Sequence, residues 1–306
     1  MGNPLTSEQF IRLLDKRLRD VSENKIKEIP TQREQFYKMV PSDSAWDEFF
    51  SVGALPDIPA FNGKLTYLSQ SPGYLTRIEP KEYAGAVASE RKLLDDKKYS
   101  VLDNRAAALS ESLVRTQEKS GVETFAYAFS SAFTYMYSEE GLSLCNDSHT
   151  TKSGVSTSTG FDNAGTSALD KTSLAAARLA MRRFKGDIGQ RINIDPDMLI
   201  VPDNLYDTAM EIVGSDKDPE SANNTMNPQY KRFKVVSYMR LDDYDTNNWF
   251  LVDSRLMKES LLWIDRIKAE FNTNVDFDTF QVSNSIYARW ACGFIDWRWV
   301  WGSSVS

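Results

Sequence analysis

The chain is poor in the groups that most enzyme chemistry needs. Among its 306 residues there is one histidine, His149, set in the polar run Cys145-Asn146-Asp147-Ser148-His149. Hydrolytic and transfer reactions lean on a base that titrates near neutral pH, so this scarcity argues against an enzyme. One histidine makes no His-rich metal site, and no Gly-x-Ser-x-Gly turn accompanies it as a nucleophile elbow. Cys145 and Cys292 are the only cysteines. They are too few and too far apart for a disulfide framework, no Cys-x-x-Cys pair offers zinc or redox chemistry, and a reducing cytosol fits best.

Glycine-rich phosphate loops are missing as well, which removes support for nucleotide and dinucleotide sites. The acidic group Asp242, Asp243 and Asp245 lacks the Gly and Glu positions of a calcium loop and reads as a solvated turn. We therefore expect no catalytic, cofactor-binding or metal-binding residue and no cofactor. There is no run of about 18 apolar residues and no apolar leader over residues 1–20, so neither a membrane span nor a secretory signal is expected. Basic excess is lacking too: 36 Lys and Arg stand against 43 Asp and Glu, a formal charge of -7. A phosphate-gripping domain normally carries the opposite balance, so tight direct nucleic-acid binding is disfavoured. An acidic wall would instead repel DNA and let it slide.

What remains is an ordinary folded chain with 41% hydrophobic residues, long enough for one large core or two modest ones. Phe10, Leu13, Leu14, Leu18 and Val21 recur at helical spacing behind a Thr6 or Ser7 cap and predict an amphipathic N-terminal helix. It either packs on its own domain or lies as an arm on a neighbour. Residues 46–83 are rich in aromatics, Gly and Pro. Here 65–68 and 74–78 read as two strands of a long hairpin turning at Gln70-Ser71-Pro72-Gly73. Such a hairpin is marginal alone and needs a partner surface.

A charged stretch over 84–98 leads into the longest helical pattern, residues 99–137, which would span roughly 50 Å if continuous, with Gly121 as a weak point. Residues 146–165 are a polar loop and the clearest boundary. Beyond it come a helix over 170–185 capped by Asp170, a buried strand at 198–202, a helix over 204–213 and a polar loop over 215–229. Strands at 233–239 and 249–252 follow. From Ile286 to Trp301 a period of two predicts a half-buried aromatic strand, with Trp290, Trp297, Trp299 and Trp301 as core rather than base-stacking residues.

This order of elements, α+β in class, resembles the tailed-phage major capsid fold, shared in outline with bacterial encapsulins. Three segments narrow the likeness to the major head subunits of Mu-type phages. They are Phe49-Phe50-Ser51-Val52-Gly53-Ala54-Leu55 with Phe61-Asn62-Gly63, then Gly73-Tyr74 through Glu90-Arg91-Lys92-Leu93-Leu94-Asp95-Asp96, and Leu144-Cys145-Asn146-Asp147-Ser148-His149. The resemblance implies an N-terminal arm (1–45), an extended loop (46–83) and a peripheral domain with a spine helix (84–164). An axial domain (165–245), returning peripheral strands (246–293) and a C-terminal tail near the axial domain (294–306) complete it.

By the same resemblance the chain is a major capsid protein of an icosahedral head, in the virion, assembled in the host bacterial cytoplasm. Its partners are copies of itself in hexamers and pentamers, with scaffolding, portal and decoration proteins and packaged double-stranded DNA bound without sequence readout; no membrane is involved. Phe10, Leu14, Leu65, Tyr67, Tyr74 and Arg77 are the candidate inter-subunit contacts. The sequence shows no long charged helical extension acting as a built-in scaffold, so a separate scaffold or none is expected. Lys64 lies on the loop, yet nothing identifies an Asn partner, and no cross-link is expected. An encapsulin-like compartment is the alternative. From another class, the alternative is a soluble enzyme with a pocket between the α/β unit and the aromatic strands.

Overall fold

The computed structural model describes residues 7–52, 55–70, 72–90, 92–93, 96–131, 135–217, 226–276 and 281–305, the side chains of 7–13 and 52 excepted. The first helix, α1 (Ser7–Glu28), is amphipathic as expected. Its Leu14 and Leu18 are buried against Leu102, Ala106 and Val282 of the same chain. Arg17 adds a two-pronged contact to Asp103, Nε to Oδ1 at 3.1 Å and Nη2 to Oδ2 at 2.7 Å. This part of the helix therefore packs on its own subunit, because its apolar stripe finds a matching one close by.

A short α2 (Arg33–Phe36) buries Phe36, and β1 (Lys38–Pro41) follows. Next come β2 (Asp47–Val52), β3 (Pro72–Ile78) and β4 (Lys81–Glu90). The spine, α3 (Tyr99–Ala126), is 28 residues long, about 42 Å at 1.5 Å per residue. It stops short of the expected residue 137. The Tyr127 amide still reaches the Glu123 carbonyl, but the Ala128 carbonyl is taken by the Cys145 amide at 2.7 Å, and the chain turns away to form β5 (Met136–Ser138). The apolar spacing continues past the turn because Phe129 and Met136 pack on other surfaces: Phe129 stacks on Phe250, and the Sδ of Met136 accepts the Phe294 amide. Gly121 does not break the helix. A Cβ there would sit 3.0 Å from the Tyr238 hydroxyl and 3.2 Å from the Arg33 Cβ, so glycine is what lets these side chains close on the spine.

The second half holds β6 (Ala164–Gly165), α4 (Lys171–Met181), β7 (Met198–Val201), α5 (Tyr206–Gly214) and β8 (Lys234–Ser237). It continues with β9 (Trp249–Val252), α6 (Ser254–Ser260), β10 (Leu261–Val275), β11 (Gln281–Phe294) and β12 (Val300–Ser303). The predicted cap of α4 is present: Asp170 Oδ1 accepts the Ser173 amide at 2.6 Å, and Ser173 Oγ accepts the Asp170 amide at 2.9 Å. Asp170→Ala removes the side-chain arm of this box and leaves the backbone arm, and is expected to cost about 1 kcal/mol in urea unfolding.

The strands form three sheets, ordered β1-β10-β11-β4, β6-β12-β9-β7-β8 and β2-β3-β5. Helices lie against the first two, so the class is α+β as expected. Two readings need correction. The aromatic strand does not run on to Trp301: β11 ends at Phe294, and Val300 opens β12 in the five-stranded sheet. Trp297 and Trp299 are buried in the connection, where the Trp299 indole donates to the Asp296 carbonyl at 2.7 Å. The line drawn at residue 245/246 also cuts a sheet, since β9 pairs antiparallel with both β7 and β12. Strand β9 is buried on both faces, and only neighbouring strands on each side satisfy its backbone.

Candidate subunit interface

The expected hairpin is present with a different partner. Strand β3 pairs antiparallel with β2, from Asp47 opposite Ile78 to Val52 opposite Pro72, and on its other side with β5. Residues 65–68 form no strand; they lie in a stretch, 55–70, without helix or sheet. Pro56, Pro59 and Gly63 account for this, since proline removes ladder donors and Gly63 sits at a φ of 92°.

This stretch is where the chain puts apolar side chains into solvent. Ile58 is 88% exposed, Phe61 76%, Leu65 75% and Tyr67 94%, and Leu55, Phe50 and Trp46 continue the patch toward its base. Isolated exposed apolar residues are ordinary; here seven large ones fall within 22 positions (46–67) of sequence, a concentration typical of interaction surfaces.

The base of the loop, by contrast, is tied down. Ser51 Oγ donates to the Tyr74 carbonyl at 3.2 Å. A Cβ on Gly73 would lie 2.0 Å from Ser51 Oγ, so only glycine lets β2 and β3 meet here. The Tyr74 hydroxyl is 2.7 Å from Thr150 Oγ1. The Glu139 carboxylate accepts the Leu75 amide at 2.9 Å and the Lys152 ammonium. Its bond to Lys152, then the Leu75 amide, hold the Glu139 carboxyl below the usual carboxylate range. The Arg77 guanidinium lies 4.2 Å over the Trp46 ring and 3.3 Å from Glu79. A cleft of about 440 Å³, lined by Arg77, Lys81, Tyr135 and Tyr137 among others, opens beside this base.

The six candidate contacts thus separate. Leu65 and Tyr67 are exposed on the loop, and Tyr74 and Arg77 are bound to their own chain at its root. Leu14 is 5% exposed inside its own subunit and has no face left for a neighbour. The side chain of Phe10 lies outside the described residues. Ile58, Phe61, Phe50 and Trp46 were not singled out as contacts; their only signal was a run of aromatics and prolines without alternation.

His149 is not a surface loop residue. It is 1% exposed and stacked on Trp297 at 4.1 Å, with Nδ1 3.1 Å from Glu140 Oε1 and Nε2 3.2 Å from Asn163 Oδ1. Neither ring nitrogen faces a serine or cysteine. Cys145 and Cys292 are free and buried, and burial pushes both thiols up, Cys292 to about 12. Among the described residues no His, Cys, Asp and Glu group is arranged to hold a metal ion, and no helix is long and apolar enough to cross a membrane.

A spine helix, a loop with exposed apolar side chains and two larger sheets now meet an independent observation: a family described as phage capsid protein matches residues 74–302. The chain belongs to the phage capsid protein family. It is a structural, shell-forming protein of the virion, and its fold is that of tailed-phage capsid subunits. The procapsid subunit of bacteriophage JBD30 superposes with a TM-score of 0.57 at 12% identity, over 98% of this chain and 76% of that one. The mature capsid of bacteriophage PhiM1 gives a TM-score of 0.58 at 9% identity, over 91% of this chain and 88% of that one. The capsid of a native GTA particle gives 0.53 at 11% identity, over 91% of each chain. No curated protein matches this capsid chain in sequence. At such low identity the agreement is one of fold.

Proposed function

We propose that this capsid protein is the major head subunit of a tailed phage of the Mu type, and that its 46–83 loop covers a neighbouring copy in an icosahedral shell of hexamers and pentamers. The observation that carries the reading is the patch at 55–70, whose apolar side chains have no partner surface on the loop itself. Burying one large apolar side chain is worth about 1.5–3 kcal/mol. Several per subunit, repeated around a closed shell, make loss of one subunit costly even when each contact is weak.

In this reading residues 1–45 are the arm, although α1 from Leu14 onward belongs to its own peripheral domain. The peripheral domain is α3 with the β1-β10-β11-β4 sheet, and the axial domain is the five-stranded sheet with α4 and α5. Strands β9 and β12 then belong to the axial part. The shell encloses double-stranded DNA, is built in the host cytoplasm, and admits scaffolding, portal and decoration partners.

Electron microscopy of the purified chain, alone and with co-expressed scaffold, is expected to show closed shells of uniform size. Monomers under every condition would overturn the proposal.

A further inference from the structure

Strand β4 is an edge that the subunit leaves open. It ends the β1-β10-β11-β4 sheet and pairs only with β11, from Lys81 opposite Trp290 to Glu90 opposite Gln281, without a register shift. Which of its backbone groups point outward follows from the alternation of an antiparallel ladder. The Gln281 carbonyl accepts the Asp276 amide at 2.9 Å and so faces β10, which leaves Val282, Asn284, Ile286, Ala288 and Trp290 to bond β4. Their partners are Ser89, Val87, Gly85, Tyr83 and Lys81, so the N–H and C=O of Glu82, Ala84, Ala86 and Ala88 face away from the sheet. The Ala88 carbonyl accordingly accepts Arg105 Nη1 at 2.9 Å, from the spine. Among the described residues nothing bonds the outward groups of Ala84 or Ala86.

The other edges are blunted. Strands β1, β5, β6 and β8 have four, three, two and four residues, and β2 shifts register between Phe50 and Val52. The outer side of β10 is bulged, and its Phe271 carbonyl is taken by Arg19 of α1. Only β4 offers ten residues with neither bulge nor proline, the form of edge that another chain extends. Its exposed face carries the methyl groups of Ala84, Ala86 and Ala88. On the other face Tyr83 and Gly85, with Leu109, Leu113, Ile286 and Trp290, line a pocket of about 120 Å³ between β4 and the spine.

Residues 64–69, Lys-Leu-Thr-Tyr-Leu-Ser, alternate as a strand does but form none in their own chain. Set beside β4 with Leu68 opposite Ala86, they bring Lys64 opposite Glu90 in antiparallel pairing and opposite Glu82 in parallel pairing. Either way Thr66 lies among the alanines, and Leu65 and Tyr67 fall on the face that holds the pocket. Two β4 edges pairing about Ala86 would instead set Glu82 against Glu90 twice, and like charges directly opposite are destabilising. We propose that residues 64–69 of one copy add to β4 of a neighbouring copy as the fifth strand of its sheet. The inference rests on the reading that the loop covers a neighbour, and it names the surface covered.

The test is a disulfide trap in assembled shells. Cys145 and Cys292 are free but buried, so thiols added outside the core react with each other. Paired strands hold opposite Cα atoms about 5.5 Å apart or closer, within disulfide reach. Shells carrying both Leu68→Cys and Ala86→Cys are expected to yield covalently linked subunits on oxidation with copper phenanthroline, and shells carrying either change alone none. Links in a single variant would mean that two β4 edges or two loops meet, and closed shells of the double variant without links would mean that the loop covers another surface. Each result overturns the pairing and leaves shell formation standing, whereas absence of shells from the parent chain overturns both. Ala86→Pro reads the backbone directly, because it removes an amide that points away from β11. This variant is expected to melt near the parent and close no shells, while Ala86→Ser closes them; normal shells from folded Ala86→Pro overturn the pairing. If the proline prevents folding, the cysteine pair carries the test.

Discussion

Replacing residues 55–70 with a short Gly/Ser linker is expected to yield a subunit that melts as the parent does and closes no shells. The expectation follows from how unequally the loop is bound. Its root is held by the Ser51, Tyr74, Glu139 and Lys152 contacts, which the replacement leaves intact. The removed stretch contributes no strand or helix, and its large side chains are solvent-exposed. Shortening a surface loop about fourfold changes its closure entropy by only about 1 kcal/mol. Assembly, in contrast, loses every apolar anchor of the loop at once, at about 1.5–3 kcal/mol for each one buried. Sedimentation and electron microscopy read the assembly, and circular dichroism reads the melt. A variant that still closes normal shells would show that the loop is not the interface. Extending the replacement through Ile78 would not be a fair test, because Ile78 is fully buried and β3 is the middle strand of its sheet.

The largest effect on the isolated subunit is expected at Arg298. Its guanidinium bridges Asp187 at 2.7 Å and Asp296 at 3.0 Å, donates from Nε to the Lys185 carbonyl at 3.0 Å, and lies 5.0 Å over the Trp297 ring. Burial opposes its charge, but the fields of Asp296 and Asp187 and the bonds to both outweigh this, so the group is held above its ordinary value. Arg298→Ala strands two partly buried carboxylates and a carbonyl. The cost of breaking such a pair from one side is 3–5 kcal/mol at full burial; with these acids partly exposed, about 3 kcal/mol is expected. Urea unfolding measures it. Adding Asp187→Asn to the Ala variant is expected to recover part of the loss, and no recovery would mean that packing on Trp297 dominates. Arg298→Lys is expected to fall between the two, since an ammonium cannot serve both acids and the carbonyl in one plane.

The elements readable in the sequence were those whose pattern is local. Strands β7 and β9 are continuous apolar runs and were placed closely; α4 announced itself through Asp170 and its apolar stripe. The resemblance implies returning strands over 246–293, but the residue pattern does not mark out the 15-residue β10 within them. Its pairing with β11 shifts register twice, between Asp265 and Ile267 and between Ile267 and Glu270, so its alternation breaks in the middle. The partner of β3 was misplaced for a related reason. Residues 65–68 alternate well, yet β2 holds the true register because Gly73 and Ser51 fit together. Arg298 gave no sequence signal beyond an arginine between two tryptophans.

The sequence by itself determined that this is a folded, acidic, catalytically sparse chain with a long spine helix and an apolar, proline-rich segment unable to form a core of its own. Those properties depend on composition and on spacings within a few turns or strands. Only the tertiary structure decided that Leu14 faces its own subunit, that β9 and β12 share a sheet, and that His149 is sealed against Trp297. Each of these joins residues far apart in the chain, and such pairings are set by which surfaces meet when the core closes.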